Sequence, residues 1–550
     1  MSNDHRASRR GGHAAAHNHV GLATSEMPAA VDIFDTTLRD GSQQEGLSLT
    51  VDDKLRVAEQ LDHLGVAFIE GGWPGANPKD AEFFARAPVE LRLSTSTLVA
   101  FGSTRRAGVK ADEDEVLRNL VKSGTEAVCI VAKASEMHVT DALRTSLDEA
   151  VAMALDSVAF LHDHDLRVFF DAEHFFDGYK QNPEFSKRIL TAALEGGAET
   201  LVLCDTNGGT LPHEVEAIVA EMAGLYDCQI GVHFHNDSGC AVANSLTAVR
   251  VGATHVQGCV NGYGERAGNA DLTAAIPNLA IKLNIRTIPP DRLDRLTPVA
   301  HHIAELVNVA PNPQQPYVGK AAFTHKAGLH TSAIVRRRDA YEHVAPDSVG
   351  NGTRFVVSEL AGRSTLALKA EELGLGLHSE VLDDVLSTLK SLEHRGYHFE
   401  VADGSLELLL RRATGWEPDF FEVENFRVFF YDHQGATVTE ATVKVDVHGT
   451  KVVEAAEGNG PVNALDSALR KAIGGHYPEL DGIHLIDYRV RVLDTNLGTG
   501  AVTRVLVDST DGEVTWTTIG VSENIIEASW QALYDSIVYG LVHARAESPS

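Results

Sequence analysis

The stretch "VDIFDTTLRDGSQQEG" (residues 31–46) contains the pattern that the next 250 or so residues repeat. Its short apolar start reads as a buried strand, which breaks at once into a polar lip where Arg39 and Asp40 stand side by side. Asp-Gly is a common turn dipeptide, so the lip reads as a surface turn carrying a solvated ion pair of little energetic worth. It reads also as a functional edge, with Asp40 facing a cation and Arg39 an anion. The stretch alone leaves both open. It is followed by "VDDKLRVAEQLDHLG", in which Leu55, Ala58, Leu61 and Leu64 share a helical face and Gly65 is placed to stop the helix.

The same unit recurs. Apolar or β-branched runs at 31–37, 66–72, 91–99, 127–132, 167–174, 200–206, 230–237 and 255–262 alternate with segments of helical period. Strand–helix alternation predicts a parallel sheet covered by helices, and about eight units fit a closed (β/α)8 barrel. The competitor, a doubly wound open sheet, lacks the G-x-G-x-x-G that would follow its first strand. Barrel chemistry sits at the C-terminal strand ends. Polar residues gather there, in "TLRD", "EGGWPG", "DAEH", "DTNGG", "HFHND" and the loop "NGYGERAGN".

The rest of the chain divides by composition. Residues 1–29 form a His/Arg/Ala/Gly-biased tail without an apolar signal core, expected to be disordered. Its His13, His17 and His19 could take up metal adventitiously. The barrel is expected over 30–290. Helical subdomains should fill 291–425, broken at "PNPQQP" (311–316) and "PDSVGNG" (346–352). From 426 to 550, two copies of roughly three strands, a glycine turn and an amphipathic helix predict a duplicated α+β module. That module suits amino-acid binding and regulation, or plain dimerisation.

Composition bounds the partners. The 550 residues carry a formal charge of −30, which argues against nucleic acid or an anionic membrane as the main partner. Five cysteines without a C-x-x-C pair fit a reducing cytoplasm better than a disulfide framework. No apolar run reaches the ~18 residues of a membrane span.

The most informative short motif is "VHFHND". His233 and His235 are two apart on a predicted strand, so both rings project to one side. They read as half of a metal site or as a hydrogen-bonded pair at a strand end. Asp40 closes the first run, and strands one and seven are near neighbours in a closed ring. Two histidines and a carboxylate with open positions suit a divalent metal that also holds substrate. A structural zinc is poorly served, because no cysteine is suitably spaced. Asn269 adds an oxygen ligand of the kind hard cations accept.

"DTTLRDGSQQEG", "GVHFHNDSGCAVANSLTAV" and "NGYGERAGNADL" together resemble the 2-isopropylmalate synthase family of acyl-CoA-condensing barrels, which includes 2-isopropylmalate, homocitrate and citramalate synthases. The likeness extends through "FTHKAGLHTSAI" and the duplicated C-terminal module. "EGGWPGANPKD" and "FFDAEHFFDGYK" look most like the branch that uses pyruvate and acetyl-CoA. The resemblance implies a divalent metal (Mn, Mg or Zn) on Asp40, His233, His235 and Asn269, with Arg39 on the 2-oxo acid. It places Glu173 and Thr206 in the substrate pocket, and His330 and Tyr341 as further site residues from a partner subunit in a homodimer. It also implies an amino-acid effector, isoleucine. The reaction would be a Claisen-type condensation followed by thioester hydrolysis. Glu173, His330 and Tyr341 are its proton-transfer candidates, and sequence does not rank them. Arg39 and Asp40 then read as two electrostatic tasks at one strand end rather than one salt bridge.

Other residues keep plainer readings beside the functional ones. Glu70 and Trp73 read as supporting or packing groups, Glu265 and Arg266 as a pair fixing their loop. "RRR" (336–338) reads as a solvated face or a contact for the phosphates of CoA. Alternatives to the pyruvate reading are another 2-oxo acid acceptor, a metal-dependent acyl-CoA lyase, and an inactive amino-acid sensor.

Overall fold

The computed structural model describes residues 27–326, 328–358, 362–433, 436–493, 498 and 500–546. The tail expected over 1–29, with its three histidines, lies outside them save for 27–29. The chain forms two compact units: Met1–Ala322 with Pro346–Gly352, and Phe323–Ala345 with Thr353–Ser550.

The first unit is a closed barrel of eight parallel strands in sequence order. They are β1 (Asp32–Asp35), β2 (Phe68–Gly72), β3 (Thr97–Ser103), β4 (Ala127–Lys133), β5 (Arg167–Glu173), β6 (Thr200–Asp205), β7 (Gln229–Phe234) and β8 (His255–Gly258). Parallel strands need crossovers, which the covering helices supply. These are α1 (Val51–Leu64), α2 (Pro78–Glu90), α3 (Glu115–Val121), α4 (Leu147–His162), α5 (Phe175–Gln181) and α6 (Pro183–Glu195), both between β5 and β6, α7 (Pro212–Leu225) and α8 (Ala241–Arg250). The ring closes where β1 pairs with β8, Phe34 opposite Gln257 and Asp35 opposite Gly258. A further helix, Leu296–Leu306, follows the barrel.

Local signals account for the elements. Thr50 caps α1 and exchanges hydrogen bonds with Asp53, and Gly65 ends the helix at φ 96°, where a side chain is strained. The third strand departs from expectation. The run at 91–99 was expected to be extended throughout, yet β3 begins at Thr97 and continues to Ser103. The Asp62 carboxylate accepts hydrogen bonds from the backbone of Ser94, Thr95 and Ser96, at 2.8–3.0 Å. Those amides therefore serve a side chain rather than a strand ladder.

Aromatic rings fill the barrel interior. Phe169 packs against Phe34 (5.4 Å between centroids) and Phe68 (4.8 Å), and the His255 ring stacks on it at 5.3 Å. His255 is fully buried, and neither ring nitrogen has a hydrogen-bond partner among the described residues. It is a core side chain that happens to titrate.

The second unit contains helices Gly328–Arg336, Arg363–Glu372, Ser379–His394 and Asp403–Ala413. A parallel pair, β9 (Thr324–His325) with β10 (Arg354–Phe355), lies in a region read as helical, because two-residue strands carry no periodic signal. Two antiparallel meanders follow. The first is β11 (Glu422–His433), β12 (Ala436–Val447) and β13 (Thr450–Gly458), then helix Pro461–Ile473. The second is β14 (His484–Val492), β15 (Thr503–Thr510) and β16 (Thr515–Ser522), then helix Ile525–Ala546. This is the duplicated α+β module. Buried residues alternate along β15, as expected of a sheet with one covered face. Among the described residues no helix is long and apolar enough to cross a membrane.

Burial, with the charge of His233 adding to it, holds His255 down to about 3. An unfolded chain protonates this ring below about 6.5, the folded chain only near 3. Its effect on stability is therefore absent above pH 6.5 and grows unfavourable as pH falls, at up to about 1.4 kcal/mol per pH unit. The urea midpoint should fall from pH 7 to pH 5, and His255→Phe should show a smaller fall than the parent chain. Equal falls would remove His255 as a source of the acid sensitivity.

Candidate active site at the barrel mouth

Asp40 lies just past β1, where a single 3-10 turn (Gly41–Gln43) begins. It is 4% exposed, and a carboxylate so enclosed needs partners. Arg39 Nη1 lies 3.1 Å from its Oδ1. Asn269 Nδ2 donates to Oδ2 at 2.9 Å. The Nε2 atoms of His233 and His235 approach the same Oδ2 at 3.2 and 3.7 Å.

Barrel geometry aims these groups. His233 lies within β7 and His235 just beyond it, so both rings face the mouth. His235 bridges to Asn269 in an antiparallel step, with Ala270 N donating to Phe234 O at 2.9 Å and Asn236 N to Gly268 O at 2.8 Å. The "GYGERAGN" loop folds this tightly through its glycines. Gly268 has φ 85°, and a Cβ there would lie 2.0 Å from the Gly262 carbonyl oxygen.

The electrostatics separate the two histidines. Burial would raise Asp40, but Arg39 and the two imidazoles hold it well below the usual carboxylate range. Burial opposes the charged form of His233, yet Asp40 raises it overall. Burial, then the neighbouring His233, push His235 down to about 4. Nδ1 of His233 faces Gln257 Oε1 at 2.8 Å, so that nitrogen carries the hydrogen. In a neutral ring, Nε2 then turns a lone pair toward a carboxylate oxygen. Such a contact needs a shared cation, either a proton or a metal ion. The set of two imidazole nitrogens and a carboxylate oxygen fits a divalent ion. Asn269 Oδ1 is buried without a partner among the described residues, and a half-turn of its amide would offer that oxygen to Asp40's side.

Arg39 and Asp40 are in contact, so the reading of two independent tasks is corrected. They form one buried array with a third member. Arg39 Nε reaches Glu70 Oε2 at 2.6 Å, and its guanidinium lies 3.9 Å over the Phe101 ring. Trp73 meets Phe101 edge-on at 5.6 Å. Glu70, read as a supporting residue, is the counter-charge that aims Arg39. Burial pushes Glu70 up to about 7 against the pull of Arg39, and burial raises Asp171 as well.

A cavity of about 620 Å³ has Arg39, Asp40, Glu173, Thr206, His233 and His235 on its wall, with Trp73 and Phe101 on an apolar side. Glu173 ends β5 in an ion pair with Lys133 at the end of β4, and His174 Nε2 lies 3.9 Å from its other oxygen. Thr206 Oγ1 accepts from the backbone N–H of His174 at 2.8 Å, which ties the ends of β5 and β6. His174 itself has φ 57°, a strained setting for a non-glycine residue beside a functional group. Arg266 grips Asp237 at 2.7 Å and the Thr206 carbonyl at 2.8 Å; Glu265, its expected partner, is farther at 3.6 Å. His330 and Tyr341 belong to the second unit, where their rings stack at 4.0 Å. Arg336, Arg337 and Arg338 are exposed, and Arg337 pairs with Asp339.

Sequence reading passed over Lys133, Asp171 and Gln257. The signal was strand parity. Phe169, Asp171 and Glu173 share the inward face of β5, as His255 and Gln257 share that of β8.

Comparison with known proteins matches the chain along nearly its whole length. Residues 30–299 match the HMGL-like family, 317–397 the homocitrate synthase post-HMGL domain-like family, and 400–541 the LeuA allosteric (dimerisation) domain. The (R)-citramalate synthase of Streptomyces coelicolor is 51% identical, over 95% of this chain and 98% of its own. That of Aquifex aeolicus is 49% identical, over 95% and 99%. The 2-isopropylmalate synthase of Pyrococcus furiosus is 31% identical, over 93% and 99%.

Replacing His235 with Ala should weaken Mn2+ binding by more than the roughly 10- to 100-fold typical of losing a residue that supports a ligand. Calorimetric titration of the whole chain measures this. Unchanged binding would remove His235 from the metal site.

Proposed function

The chain belongs to the (R)-citramalate synthase family, and we propose that it condenses acetyl-CoA with pyruvate and hydrolyses the thioester, giving (R)-citramalate and CoA on the route to isoleucine. The reaction is an acyl transfer in which the acetyl group becomes an alkyl group. The observation that carries the reading is the convergence of two imidazole nitrogens on one Asp40 oxygen, in the cavity that also holds Arg39.

The chemistry makes three demands of this cavity. The acceptor's C2 carbonyl must be made electrophilic, and a divalent ion (Mn, Mg or Zn) bound at Asp40, His233, His235 and Asn269 would supply that polarisation as a Lewis acid. Arg39 orients the acceptor. Its guanidinium is fixed by Glu70 and Phe101, which leaves its charge to face the carboxylate or the developing oxyanion of the 2-oxo acid.

The second demand is a base for the weakly acidic methyl of acetyl-CoA. Glu173 stands on the cavity wall beside Lys133 and His174, placed to accept or pass a proton. His330 and Tyr341, stacked on each other, are the other proton-transfer groups proposed, supplied by the partner subunit of a homodimer. The third demand is a water for thioester hydrolysis, which a histidine or carboxylate at the mouth can deprotonate. Thr206 lines the pocket and holds the β5 end that carries Glu173.

Residues 400–541 match an allosteric domain, so we assign the duplicated module to feedback control by an amino acid, isoleucine, and to a homodimer. The enzyme is proposed to work in the cytoplasm.

Thiol release from acetyl-CoA should be at least about tenfold faster with pyruvate than with 2-oxoisovalerate or 2-oxoglutarate, a margin of about 1.4 kcal/mol. Preference for 2-oxoisovalerate would instead make the chain a 2-isopropylmalate synthase. In the same assay isoleucine should inhibit the intact enzyme. No response to isoleucine, leucine or valine would defeat the effector assignment.

A further inference from the structure

The two imidazoles aimed at Asp40 differ on their far sides. His235 Nδ1 is buried without a hydrogen-bond partner among the described residues. His233 Nδ1 meets Gln257 Oε1 at 2.8 Å, and Gln257 Nε2 donates to Asp171 Oδ1 at 3.0 Å. All three side chains are at least 95% buried, with exposures of 5% for His233, 0% for Gln257 and 3% for Asp171. Strand pairing builds this chain: His233 stands opposite Gln257 across β7 and β8, while Asp171 projects inward from β5.

Order matters within it. A carboxamide has one accepting and one donating end. Asp171 offers an acceptor to Gln257, so the amide nitrogen turns toward Asp171 and the oxygen toward His233. An oxygen facing Nδ1 requires hydrogen on that nitrogen. The opposite amide orientation would place two acceptors face to face at Asp171 and present N–H groups to His233. That would favour the other tautomer, with hydrogen on Nε2 where a metal would bind.

We propose that Gln257, oriented by Asp171, is a positioning residue that locks His233 as the Nδ1–H tautomer and so presents Nε2 as a metal ligand. The proposal rests on the reading of Asp40, His233 and His235 as a metal site. It makes the two histidines unequal ligands: His233 is pre-oriented from behind, whereas His235 is held by its backbone bridge to Asn269. It also gives Asp171 a task at a distance from the metal, through an uncharged intermediary. A carboxylate placed directly behind the histidine would add charge beside Asp171, Glu70 and Asp40. A glutamine passes on the orientation without that charge.

The test is Mn2+ titration calorimetry of the full chain, with melting of each metal-free variant as a check on folding. Gln257→Met keeps length and removes the acceptor. It should weaken Mn2+ binding about 10- to 100-fold. Gln257→Glu combined with Asp171→Asn reverses the donor between those two positions while keeping an acceptor on Nδ1. This pair should bind Mn2+ more tightly than Gln257→Glu alone and within about tenfold of the parent chain. If Gln257→Met binds like the parent while His235→Ala does not, the positioning role is overturned and the metal site stands. If neither substitution changes binding, the metal site itself is wrong. Should Gln257→Met fail to fold, the exchanged pair decides: no gain over Gln257→Glu alone overturns the role of Asp171.

Discussion

Asp40 is a carboxylate that is only 4% exposed, and the rest of the barrel mouth is arranged around that fact. An enclosed charge is tolerated only with opposite charge and hydrogen bonds close by, and removing one partner of a buried pair costs about 3–5 kcal/mol. Arg39, two imidazoles and an amide meet the requirement. Arg39 is itself enclosed and is met by Glu70. Burial then lifts both Glu70 and Asp171 above the ordinary carboxylate range, against the pull of Arg39. The array is one connected structure, which explains why the histidine closest to Asp40 is raised while its neighbour is pushed down to about 4.

Barrel closure makes this arrangement possible. Every strand runs the same way, so every C-terminal end meets at one mouth. The same strands supply the floor below. On β8, His255 stacks with phenylalanines in the interior, and Gln257, one inward step farther along, stands behind His233. Apolar packing therefore sets the height and angle of the polar groups above it, and interior packing is dense enough to transmit small shifts.

The second unit follows other rules. Its meanders are antiparallel, with local pairings that short turns can close. Each meander lays one face against a helix, and the shared core includes Tyr477, Trp516 and Leu541, all nearly inaccessible.

Much of the fold and part of the site were legible in the chain. Alternating runs, helical faces and stop signals such as Gly65 are local properties of the backbone and its side chains, so the barrel and the duplicated module could be read directly. Asp40, His233, His235 and Glu173 were legible as candidates because they close strand runs. Three things were not. The shift of β3 came from Asp62, a side chain on another element that captured the amides of 94–96. The contact between Arg39 and Asp40, with Glu70 as third member, depends on burial, which an adjacent pair in a sequence does not reveal. The order Asp171–Gln257–His233 depends on the register of β5, β7 and β8. Periodicity and composition determine local conformation; which charges are buried together is decided only when the ring closes, because closure sets both register and burial.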